Sequence, residues 1–228
     1  MNRVASVTKM HLRDKLSWIY MPWIILLLNL ILHLTIRFSI GGKDGMYTGG
    51  ITSLYVYMLV IGMVALPQTF VFALGMGVRR TDYFAGTAMN FALISLSTSI
   101  LILLFSLLEG WSGGWGVGLH FFRMPYWGDG TAIGQVTRNF VLLLHLFFLG
   151  FAISSVQRRY GWFGMIVFLG VISAVVTVLV ISLGYYQWWG ILFQWIAGIT
   201  VSEWAGWLFA LIVVYALASY AMLRKATV

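Results

Sequence analysis

Long apolar runs separated by short charged islands set the pattern of this chain. Six runs, at about 18–38, 51–74, 85–108, 134–156, 162–183 and 204–222, are each near the length a helix needs to cross a bilayer core. They predict an all-α integral membrane protein, a single transmembrane domain over 1–228 with six transmembrane helices. The first run has no formal charge over 18–36, with Trp18, Tyr20 and Trp23 as expected interfacial anchors. A secretory signal would show a shorter apolar core and a small-residue cleavage site. Before it, 1–17 carries Arg3, Lys9, Arg13 and Lys15 against Asp14, with apolar residues on more than one face. That predicts a short interfacial lead-in helix. Pro67 in the second run removes a backbone donor, so a kink or early end is expected there.

The segments between the runs read as turns and interfacial pieces. Residues 37–50 form a glycine-rich loop with Lys43 and Asp44. Its Gly41-Gly42-Lys43-Asp44 string lacks the upstream glycine and the following Ser or Thr of a phosphate-binding loop. Residues 109–133 carry Trp111, Trp115, Tyr126 and Trp127, which fits a segment on the outer lipid surface. Arg138 is expected to snorkel to that surface. Gln157-Arg158-Arg159-Tyr160-Gly161 is a tight turn, and 191–199, set among tyrosines and tryptophans, is too short to cross. It predicts an outer re-entrant or interfacial helix between spans five and six.

Composition and charge sharpen this picture. Only 9% of the 228 residues are charged, against about 25% in soluble domains. Ten basic residues (Arg3, Lys9, Arg13, Lys15, Arg79, Arg80, Arg158, Arg159, Arg224, Lys225) fall on one side of the six-span arrangement, and four (Arg37, Lys43, Arg123, Arg138) on the other. The bias places both termini of a multi-pass membrane protein in the cytoplasm. The net charge of +8 then marks a membrane face, and no nucleic acid partner is expected. The chain has no cysteine, which removes thiol chemistry and disulfides.

The spans hold no mid-membrane Asp, Glu or Lys, so proton- or ion-driven transport lacks its usual acid. His33 and His145 are the ionisable candidates, and a lone histidine in an apolar helix is more often a helix-to-helix hydrogen bonder than a relay. No HExxH spacing occurs and His145 has no visible acidic partner, so no catalytic residue and no metal ligand is assigned. Asn90, Ser95, Ser99 and His145 are candidates for a substrate path; the same side chains also serve helix packing. The positive signal is the island from Leu74 to Gly86. Gly75 and Gly77 permit a reversal, Thr81 or Asp82 can cap the next helix, and Arg79 with Arg80 suits acidic groups on a partner. Physics alone reads the arginine pair equally as a topology signal in a turn.

The run Phe72-Ala73-Leu74-Gly75-Met76-Gly77-Val78-Arg79-Arg80-Thr81-Asp82-Tyr83-Phe84-Ala85-Gly86-Thr87 resembles the segment between the second and third helices of small bacterial ABC exporter permeases, the type-two permeases. That resemblance implies six helices per subunit, an N-terminal interfacial helix, a cytoplasmic coupling helix after span two and short outer helices between spans five and six. It implies that Gly77, Arg79, Arg80, Thr81, Asp82 and Tyr83 contact a separate ABC ATPase. ATP and magnesium would then sit on that partner, with no cofactor in this chain, and a second permease subunit would complete the path. The alternative is a membrane-embedded scaffold or immunity protein that sequesters a lipid or peptide without pumping.

Overall fold

The computed structural model describes residues 3–41, 45–123 and 131–225. The expected loop positions Gly42, Lys43 and Asp44, and the expected interfacial Tyr126 and Trp127, lie outside the described residues. The described chain is mostly helix: α1 (Arg3–Arg13), α2 (Met21–Ile40), α3 (Thr52–Gly75), α4 (Arg80–Trp111), α5 (Ala132–Tyr185), α6 (Trp189–Gly198) and α7 (Val201–Arg224). A π-helical turn, Leu16–Tyr20, leads into α2, so the first long apolar helix runs Leu16–Ile40. Several of these helices are long and apolar enough to span a membrane.

Helix α5 has 54 residues, about 80 Å at 1.5 Å per residue. Gly161, at φ 68° and ψ −168°, breaks it into an inner arm, 132–160, and an outer arm, 162–185. Only glycine takes that conformation without strain, which is why the break falls on this residue of the expected turn. The second helix, by contrast, runs through Pro67 to Gly75, with no early end.

The core is aromatic and sits where α3, α4 and the inner arm of α5 meet. Phe91 stacks on Phe147 at 4.7 Å, and Phe148 and Phe151 meet Phe91 edge-on. Trp18, expected at the interface, instead stacks on Phe91 and Phe147 from the π-helical turn. Helices α3 and α5 approach backbone to backbone: a Cβ on Gly62 would strike the Phe147 carbonyl, and one on Gly150 the Leu59 carbonyl. Small residues at a crossing permit this spacing. Helix α7 returns to the inner arm, where Tyr215 meets His145 at 5.5 Å. Neither the outer arm nor α6 contains a buried residue.

A pair of short strands departs from the all-helical expectation at the end of the bundle remote from the α3–α4 turn. Strands β1 (Met46–Tyr47) and β2 (Leu119–His120) pair in parallel, with Tyr47 stacked on His120 at 4.6 Å. Arg37, expected in a loop, is in the last turn of α2, buried, and donates from Nε to the Val117 carbonyl at 2.9 Å. Arg138 does not snorkel: it lies two turns inside α5 and is 8% exposed, on the same buried face as Gln135 and Asn139.

Candidate functional site at the turn between the third and fourth helices

Helix α3 ends in a tight reversal. Gly77 takes φ 78°, its N–H donates to the Leu74 carbonyl at 2.9 Å, and the Val78 N–H reaches back to the Ala73 carbonyl at 3.1 Å. This paired pattern with a left-handed glycine satisfies the last carbonyls of a helix and stops it. Arg79 follows in extended conformation and α4 begins at Arg80. The turn is too short to hold a separate helix between α3 and α4. Thr81 and Asp82 are therefore inside α4 instead of capping it, and no side chain caps its start. Asp82 is in the first helical turn, where the helix dipole favours a negative charge.

The six island residues divide by what they touch. Gly77, Arg79 and Thr81 are exposed at the turn. Arg80 bends the other way: its Nη1 donates to the Arg224 carbonyl at 2.7 Å and the Leu223 carbonyl at 3.3 Å. It thereby satisfies carbonyls at the end of α7. Tyr83 is 0% exposed, packed edge-on against Phe70 at 5.1 Å, with its hydroxyl 2.8 Å from Thr69 Oγ1. Tyr83 thus belongs to the core and is absent from the turn's surface.

Helix α1 docks beside this turn. Val4, Val7, Thr8 and His11 form one face at helical spacing, and Val7, Thr8 and His11 are buried against α4. Thr8 Oγ1 donates to the Gly86 carbonyl at 3.1 Å, and His11 Nε2 lies 3.0 Å from Thr87 Oγ1. A Cβ on Gly86 would stand 2.6 Å from Val7 Cβ, so only glycine admits α1 here. Burial pushes His11 from 6.5 down to about 4, which keeps the imidazole neutral. The lead-in helix is amphipathic once two polar residues are counted on its inner face. The same end of the bundle gathers Arg79, Arg80, Arg224 and, through Arg158 over the Phe70 ring at 5.8 Å, the α5 break.

The expected path residues sit on inner helix faces. Asn90, Ser95 and Ser99 are buried on α4, and His145 is buried on α5. Ser99 Oγ donates to its own helix at the Leu96 carbonyl, 2.9 Å away. Asn90 Oδ1 and Nδ2, Ser95 Oγ and His145 Nδ1 have no hydrogen-bond partner among the described residues. Such atoms in an apolar interior are costly, so they mark places suited to water or a polar ligand group. His33 hydrogen-bonds the Asn29 carbonyl of its own helix at 2.8 Å, a bond within one helix and not between two.

Sequence reasoning missed Glu109. Its carboxylate is fully buried at the end of α4 and accepts from the backbone N–H of Phe121 (2.9 Å), Phe122 (2.8 Å) and Arg123 (3.1 Å), and from Trp115 Nε1 (3.1 Å). His120 Nδ1 stands 3.6 Å from it. The 112–123 segment is thus folded around one acid, with Phe121 and Phe122 in the core; of the expected surface aromatics among the described residues, Trp111 is exposed and Trp115 half-buried. An acid closing an apolar run ahead of a glycine-rich stretch was the available signal. Among the described residues no group of three or more metal-ligating side chains occurs. Comparison with known protein families, with curated proteins and with solved structures returns no match to this chain.

Proposed function

We propose that this chain is the membrane permease subunit of an ABC exporter, powered through the α3–α4 turn by a separate ATPase. The observation that carries the reading is the division of the arginine pair: Arg79 is presented outward while Arg80 grips the end of α7. A partner pressing on Arg79 and Thr81 moves a turn already tied to α7 by Arg80 and to α1 by the Gly86 contact. Helix α7 in turn packs on the α5 inner arm at His145. If the ATPase contacts this turn differently in its nucleotide-bound and nucleotide-free states, that difference is the coupling free energy.

In this reading the Gly161 break gives six spans, with both termini and the arginine-rich end in the cytoplasm of a bacterium, and α6 lying on the outer side. Two permease subunits enclose the path, and the unpartnered polar atoms of Asn90, Ser95 and His145 offer it hydrogen-bonding groups. The test is co-purification with an ATPase encoded beside this chain. Arg79→Glu is expected to abolish the complex and any permease-dependent stimulation of hydrolysis, with membrane insertion and thermal stability unchanged. A complex that survives Arg79→Glu overturns the assignment. Arg80→Glu is a poorer probe, because it also strips the end of α7 of its donor.

A further inference from the structure

A cleft of about 400 Å³ opens beside the Gly161 break, lined by Pro67, Ser154, Gln157, Arg158, Gly161 and Trp162. Its polar groups are unspent. Arg158 is pinned by its guanidinium over the Phe70 ring at 5.8 Å, yet its buried Nε has no hydrogen-bond partner. Ser154 is 3% exposed and its Oγ is likewise without a partner. Among the described residues no carboxylate lines the cleft. A fixed cation with an idle donor, and an idle hydroxyl beside it, make a receptor for an anionic oxygen group.

The arrangement of those groups with depth selects among anions. Ser154 lies four residues before Arg158, one helical turn or about 6 Å further along α5 toward the middle of the bundle. The ligand must therefore carry its negative group at the mouth and a neutral oxygen about a turn deeper. Trp162 is 72% exposed at the lip, and beyond it Ile166, Leu169 and Val176 are exposed along the outer arm. With the outer arm turned back across the bilayer at Gly161, the order with depth becomes anion, neutral oxygen and long apolar surface, the profile of a glycerophospholipid: phosphate, ester carbonyl, acyl chain.

We propose that this cleft binds the phosphate headgroup of an anionic membrane lipid, with Arg158 on the phosphate, Ser154 on the glycerol-ester region and the acyl chains along the outer arm. The inference rests on the six-span reading, in which the outer arm returns across the bilayer after Gly161, and stands apart from the ATPase assignment. It also gives the outer arm, which has no buried residue in this chain, an ordered lipid along its root.

The test is native mass spectrometry of the full chain released from nanodiscs containing equal phosphatidylglycerol and phosphatidylcholine. Wild type is expected to retain phosphatidylglycerol over phosphatidylcholine by about tenfold, and Arg158→Gln to retain the two within about twofold. Ser154→Ala removes a hydroxyl that bonds nothing in the protein, so it should fold as wild type and weaken retention about threefold. It keeps the test decisive should Arg158→Gln fail to purify. Arg159→Gln, whose side chain stacks on Tyr160 and does not line the cleft, is expected to behave as wild type. Equal retention by wild type and Arg158→Gln overturns the proposal, as does equal loss in Arg159→Gln. Displacement by millimolar inorganic phosphate as effective as by added phosphatidylglycerol would assign the site to a soluble phosphate and overturn the lipid.

Discussion

Glu109 and His11 show how much one side chain decides in a chain this apolar. Glu109 is the acceptor for four donors from 115–123, so Glu109→Gln removes the charge and turns an NH2 toward N–H groups that need oxygen. A loss of roughly 2–4 kcal/mol is expected, because hydrogen bonds to a charged group are the strong ones. Limited proteolysis should then cut within 112–123, where wild type resists. His11 predicts a pH effect with a definite sign. Its pKa is about 4 when docked and 6.5 when free, so the undocked helix binds more protons between those values. Docking of α1 is fully supported above pH 6.5, weakens as pH falls through that value, and has lost at most roughly 3 kcal/mol by pH 4. Hydrogen exchange in 3–13, corrected for its intrinsic pH dependence, should rise on acidification, and His11→Gln should abolish the rise. Neither residue was legible beforehand. Glu109 opens the expected 109–133 loop, and His11 lies in a segment whose apolar residues fall on more than one face; a buried polar group is recognisable only beside its partner.

Among the elements, the long helices were legible and the short ones were not. A run of twenty apolar residues needs only counting, and the ends of α3, α5 and α7 fall close to the expected ones. The reversal at Gly77 was legible as well, since only glycine suits a left-handed helix end. What the sequence concealed is where α1 goes. Its basic residues imply a lipid surface, whereas its inner face is cut to fit Gly86. Gly86→Ala should therefore displace α1 at a cost of about 1–3 kcal/mol, the usual penalty for overpacking. With no native cysteine, Val7→Cys alone reports the result: maleimide labelling should be slow in the parent and fast with Gly86→Ala. Strands β1 and β2, of two residues each, carry no periodicity to read. Glu109 holds the 121–123 backbone immediately after β2.

For the whole molecule, the α3–α5 crossing is the joint on which the bundle depends. Gly62 and Gly150 each face the partner helix's backbone, so either Gly→Ala change forces the two helices apart. About 1–3 kcal/mol is expected for each, and the double substitution should cost less than the sum because both act on one contact. Thermal unfolding in detergent, followed by size-exclusion recovery, measures both. The pairing of these two helices was beyond sequence reading, since glycine in an apolar run signals a close approach without saying to what. A consequence follows from the Arg80 grip for the way the chain is made. Its carbonyl acceptors lie up to 144 positions downstream, and at roughly 5–20 residues per second a ribosome takes about 7–30 s to deliver them. Through that interval Arg80 lacks both carbonyls, and only the emergence of the 201–224 segment lets it close its clasp on α7.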